Sequence, residues 1–131
     1  MTRFVVDASA VIHLAGAGVE VAGEHRLLAP TLLRSQTLSA LHEAVQRGEI
    51  TSEVARDRLT HIGRMPIRLL GDAVLRRRAW DLADQLGWAS TYNAEYVALT
   101  QLQADAFVTL DAELARSVGG IVATASIDVL R

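Results

Sequence analysis

Two aspartates close apolar, β-branched runs near opposite ends of the chain: Val5-Val6-Asp7 and Val108-Thr109-Leu110-Asp111. In open parallel sheets, ligands bind in the crevice beyond the carboxyl ends of the strands. If the two runs are neighbouring strands, their carboxylates converge on one spot. Like charges held close are costly unless a cation compensates them, and hard oxygen donors suit Mg²⁺ or Mn²⁺. The same residues have a plainer use, because Asp caps helix N-termini well and helix-favouring residues follow both acids. For one aspartate alone the cap is sufficient explanation; two acids at the ends of two buried strands favour a metal site.

Composition removes most other chemistries. The 131 residues contain no cysteine, so disulfide scaffolds, thiolate zinc sites and thiol catalysis are excluded. All 13 basic residues are arginine, which leaves no Schiff-base or phosphate-loop lysine and no lysine for a phosphoacceptor receiver site. A haloacid-dehalogenase-like phosphatase would want a second Asp two residues after Asp7, where Ser9 stands. Asp7-Ala8-Ser9-Ala10 is not the glycine-rich turn of a dinucleotide site, and His13, His25, His42 and His61 lack metalloprotease spacing. The formal charge of −2 gives no global attraction to nucleic acid, so an RNA site must be a local patch.

The length fits one domain, residues 1–131, and half of the residues are apolar, enough for a core without staples. Asp7 interrupts the N-terminal apolar stretch, unlike the apolar segment of a signal peptide, and no apolar run approaches the ~20 residues that span a bilayer. The expected location is the cytoplasm, with no membrane partner.

Strands are expected at Phe4–Asp7, Arg26–Ala29 before Pro30, Pro66–Leu70, Ala106–Leu110 and Ile121–Thr124. Helices are expected over Ala8–Ala15, over Thr31–Arg47 with Leu33, Leu38, Leu41 and Val45 at helical spacing, and from Thr51 or Ser52 to Met65. Further helices follow from Asp72 to Leu86, from Ser90 or Thr91 to Ala104, and over Asp111–Ser117, with one turn of helix around Val19–Ala22. Strands separated by helices of ten or more residues indicate βαβ units and a mostly parallel sheet of four or five strands covered on both faces.

The order of elements resembles the PIN domain, specifically its small VapC-like toxin members. Val5–Val11 is similar to the family's opening strand and first acid, and Pro30–Leu41 to its proline-led helix. Tyr92–Leu99 is similar to a later helix, and Val108–Asp111 followed by Leu114-Ala115 to the last acidic motif. The resemblance covers nearly the whole chain and implies a three-layer α/β/α PIN-like domain. It also implies a Mg²⁺- or Mn²⁺-dependent endoribonuclease that hydrolyses RNA phosphodiesters, a homodimer, and a VapB-like antitoxin that occludes the site. Asp7 and Asp111 match the first and last acids and are the expected metal ligands. Thr109 matches a hydroxyl residue that precedes the last acid, and Thr109 and Ser9 are expected beside the ligands.

Two positions depart from the family pattern: Gln36 stands where Glu is usual, and Asn93, the only asparagine, stands where Asp is usual. Their amide oxygens can serve as weak or water-mediated ligands in the catalytic set, but they supply no charge and cannot act as a general base. One weakly held ion is therefore expected rather than two, and a catalytically silent module that binds RNA or an antitoxin-like partner is the alternative. Asn93 reads as either a silencing substitution or a helix-start residue. Neither Glu43, two turns beyond Gln36, nor Glu95, about 200° around the helix from Asn93, is placed to compensate. Arg34, two residues before Gln36, is the candidate for contacting RNA phosphate. Arg76-Arg77-Arg78 fan around a helix and read as a solvated face. Trp88 and Tyr92 flank the start of the Asn93 helix, where packing in the core or a dimer is favoured over stacking on bases.

Overall fold

The computed structural model describes residues 1–131. Its strands are β1 (Thr2–Val6), β2 (His25–Pro30), β3 (Ile67–Leu70), β4 (Ala106–Val108) and β5 (Thr124–Ala125). They form one sheet in the order β3-β2-β1-β4-β5, every pair parallel. The helices are α1 (Ala8–Ala17), α2 (Leu32–Gln46), α3 (Ser52–Arg64), α4 (Ala73–Leu86), α5 (Tyr92–Gln103) and α6 (Ala112–Val118), with a 3-10 helix at Ile127–Leu130. The result is the expected three-layer α/β/α domain.

β1 lies at the centre because it is apolar on both faces: Phe4, Val5 and Val6 are all buried, as a parallel strand covered on both sides requires. Phe107 and Val108 of β4 pair beside Val5 and Val6. One continuous core of 26 buried residues includes these strands together with Val11 and Leu14 of α1, Tyr96, Val97 and Leu99 of α5, and Leu82 of α4.

Helix boundaries follow local chemistry. Asp7, Thr51 and Asp72 cap α1, α3 and α4 by accepting from the backbone N–H three residues on. Gly87 ends α4 with φ +69°, a left-handed conformation that suits glycine. On α2 the buried stripe is Leu33, Thr37 and Leu41, whereas Leu38 is exposed. Thr37 can take the core position because its hydroxyl donates to the carbonyl oxygens of Leu33 and Arg34 inside the helix.

Three local expectations are corrected. Val19–Ala22 is a loop rather than a helical turn, held by Val19 N–H to the Leu14 carbonyl and Ala22 N–H to the Leu130 carbonyl. β4 stops at Val108 instead of Leu110, because the next two residues turn out to meet the end of β1. The last strand is Thr124–Ala125 instead of Ile121–Thr124, since the N–H groups of Ile121 and Val122 both bond the Val118 carbonyl and complete the turn after α6.

Candidate active site

Because β1 and β4 are adjacent, the acids that follow them both stand at the carboxyl edge of the sheet, linked through Thr109. Asp7 is half-buried at the β1–α1 corner. Its Oδ1 accepts from Ala10 N–H at 3.0 Å, which caps α1, and from the Ser9 hydroxyl at 2.6 Å. Its Oδ2 accepts from the Thr109 hydroxyl at 2.5 Å across the two strands.

Thr109 and Ser9 stitch the corners together. The Thr109 oxygen also accepts from Asp111 N–H at 3.1 Å, and the Ser9 oxygen accepts from Leu110 N–H at 3.0 Å. Each hydroxyl owns one proton, and both protons are committed to Asp7. The 3.5 Å approach of Ser9 to Thr109 is therefore a contact of oxygens and not a further bond. These bonds explain the early end of β4: the backbone of Leu110 and Asp111 leaves the ladder for the hydroxyls of Ser9 and Thr109.

Asp111 is exposed and caps α6, its Oδ1 accepting from Glu113 N–H at 3.1 Å and Leu114 N–H at 3.0 Å. Capping and metal binding thus do not compete. In both acids Oδ1 takes two hydrogen bonds and is saturated, while Oδ2 keeps capacity: Asp7 Oδ2 has accepted one bond and Asp111 Oδ2 none. By donor chemistry alone, with no separation implied, two hard oxygens with open lone pairs are the kind that Mg²⁺ or Mn²⁺ takes, an ion commonly held by one or two carboxylates with water completing its shell. No three carboxylate, imidazole or thiol side chains come together anywhere, so the residues do not fit a second ion held by protein acids.

The two amides line an adjoining open cleft of about 450 Å³ between the start of α5 and the α4–α5 turn. Gln36 is half-buried and its Oε1 accepts from the Tyr96 hydroxyl at 2.6 Å. Burial pushes the Tyr96 phenol upward, and the carboxylates of Asp7 and Glu95 push it further, so it remains a proton donor. Its bond turns the Gln36 amide so that the oxygen faces Tyr96 and the NH₂ faces away. Asn93 is exposed and its side chain makes no hydrogen bond within the protein. Trp88 is half-buried against the core with part of its ring on the cleft, and Tyr92, 57% exposed, stands on the same wall.

The sequence did not single out Tyr96, which lies inside the Tyr92–Leu99 segment. A buried phenol needs a partner for its hydroxyl, and that requirement is the signal that links α5 to α2. Arg34 is exposed and forms no ion pair, but it does not line the cleft; two positions along α2 put it about 200° from Gln36. Glu95 is half-buried, and desolvation raises its pKa against the opposing field of Arg76. It lies outside the cleft lining and supplies no replacement acid. Arg76, Arg77 and Arg78 are exposed on α4, as a solvated face would be.

No protein-family model and no curated protein sequence matches the chain. Solved structures do. PAE2754 from Pyrobaculum aerophilum superposes with a TM-score of 0.73 at 21% identity, over 98% of this chain and 93% of that one. The sarcin-ricin loop cleaving toxin VapC20 of Mycobacterium tuberculosis gives 0.61 at 15% identity, over 87% and 94% of the two chains. VapBC-1 from nontypeable Haemophilus influenzae gives 0.61 at 12% identity, over 96% and 98%. The chain has the PIN-like fold of the VapC toxins.

Proposed function

We propose that this protein is a Mg²⁺- or Mn²⁺-dependent endoribonuclease of the VapC type, with activity weakened by Gln36 and Asn93. The observation that carries the reading is the pair of acids on adjacent strand ends, joined through one threonine hydroxyl, with Asp111 Oδ2 unbonded and Asp7 Oδ2 keeping one lone pair. Asp7 and Asp111 would hold a single ion, which would supply charge stabilisation and an activated water toward an RNA phosphodiester. Thr109 and Ser9 hold Asp7 in place with both oxygens pinned. Arg34 offers phosphate a charged contact in the first turn of α2.

The partners follow the same reading: an RNA substrate in the cytoplasm, a VapB-like antitoxin, and a second copy of the chain. Exposed apolar side chains at Leu38, Val74 and Trp80 support burial against protein partners. No helix is long and apolar enough to cross a membrane. A second reading is favoured by one observation. The amides at 36 and 93 replace two charges, and Gln36 has already committed its oxygen to Tyr96, so a silent RNA- or antitoxin-binding module is the alternative.

Titration calorimetry with Mn²⁺, with Asp7→Ala as control, separates the two. Micromolar binding that disappears in the control supports the nuclease and justifies a cleavage screen. No heat up to millimolar Mn²⁺ leaves the silent module standing.

A further inference from the structure

The cleft beside the acids is uncharged. None of its lining side chains is charged at neutral pH; its walls are two amides, an indole, a phenol and the Ser90 hydroxyl. Its polar groups are also unspent. Asn93, the Gln36 NH₂ and the Tyr92 hydroxyl make no hydrogen bond within the protein, and Ser90 only accepts, from Tyr92 N–H at 3.2 Å. A volume of about 450 Å³ falls within the roughly 300–1,000 Å³ of small-ligand clefts.

A nucleotide has one charged part and one neutral, flat part. The acids and their cation suit the phosphate, whereas aromatic faces with amides suit an unpaired base, read by stacking and edge hydrogen bonds. An amide meets adenine with two bonds, its oxygen accepting from N6 and its NH₂ donating to N7. Asn93 is free to do this, and Gln36, turned by Tyr96, presents a further N–H. We infer that this cleft is a subsite for one unpaired nucleobase, adenine by preference, next to the phosphodiester held by Asp7 and Asp111. The inference rests on the RNA-directed reading above. It gives the two amides a use of their own: they trade metal affinity for base recognition.

The test uses the full chain with Trp80→Phe, which leaves Trp88 as the only indole; Trp80 is 65% exposed and lies outside the cleft. Single-stranded hexa-adenylate and hexa-uridylate carrying a fluorescent label are titrated in EDTA, so that no cleavage intervenes. Trp88 quenching and label anisotropy are read together. Saturable quenching is expected, at least threefold tighter for adenylate. Tyr92→Leu and Asn93→Ala, both at exposed positions, should each weaken adenylate about fivefold or more, as loss of one stacked or paired base does. Absence of binding, binding without Trp88 quenching, equal affinity for the two RNAs, or indifference to both substitutions each overturns the base subsite. Mn²⁺ calorimetry on the same variants reports the metal reading separately: heat retained without adenylate binding sinks only the subsite, and the converse sinks only the metal centre.

Discussion

The two halves of the candidate site are built in opposite ways. On the β1–β4 side every donor is spent: two hydroxyl protons and one capping N–H converge on Asp7, and Thr109 and Ser9 also receive the backbone of the facing strand. On the α2–α5 side one hydrogen bond, Tyr96 to Gln36, does the positioning, and the other polar groups face solvent. The first half is a fixed anionic corner and the second an open neutral wall. Substitutions in the corner should therefore cost stability and metal affinity together, whereas those of the wall's unbonded side chains should change affinity alone.

The strongest way to break that contrast is Asp7→Ala. It removes a metal ligand, a helix cap and the acceptor for two hydroxyls, so Mn²⁺ affinity should fall more than a hundredfold. Urea denaturation should show a loss of about 2–3 kcal/mol. If metal binding vanished with stability intact, the corner would not act as one hydrogen-bonded unit.

Asn93→Asp is the matching change on the wall. It adds a carboxylate at an exposed, uncommitted position, so Mn²⁺ affinity should rise about tenfold while stability moves by less than roughly 0.5 kcal/mol. RNA cleavage and growth inhibition on expression should increase with it. Unchanged growth and cleavage would count against the idea that Asn93 silences the site.

Thr109→Val keeps the shape and deletes the hydroxyl that donates to Asp7 and accepts from Asp111. A cost of about 1–3 kcal/mol is expected by urea denaturation, with Mn²⁺ affinity lowered severalfold by calorimetry. A neutral result would mean that the hydroxyl does not couple the corners.

Tyr96→Phe tests the single tie of the wall, at about 1 kcal/mol. The same phenol gives a pH signature. Its folded pKa is raised, so the folded chain holds a proton that the unfolded chain releases near pH 10. Its stabilisation is complete below pH 10 and declines as pH rises above that value. Tyr96's share of the tyrosinate absorbance should develop only with unfolding, and in Tyr96→Phe that part of the alkaline decline should disappear.

The smallest effect is expected from Arg34→Ala. A single exposed phosphate contact outside the cleft should change RNA affinity two- to threefold, with a slightly shallower salt dependence.

How much of this was legible in the sequence divides along the same line. The corner was readable because Val5-Val6-Asp7 and Val108-Thr109-Leu110-Asp111 put acids at the ends of β-branched runs, and strand adjacency did the rest. What could not be read was how the acids share their oxygens, since that depends on Ser9 and Thr109 meeting across the strands. The wall was less legible. Spacing grouped Leu38 with Leu33 and Leu41 and said nothing of Thr37, because a hydroxyl satisfied inside its own helix looks polar in sequence and behaves as apolar in the fold. Gln36 was identified by position alone, and its orientation depends on a tyrosine 60 residues away.

The Asp7–Thr109 bond spans 102 positions of the chain. Synthesis proceeds from the N-terminus, and contacts this distant form only after the intervening loop has been closed. A nascent chain that ends before β4 has its first acid but lacks the strand, hydroxyl and second acid that complete the centre. The proposed nuclease is thus disarmed by its own topology until synthesis has passed β4 and the acid that follows it.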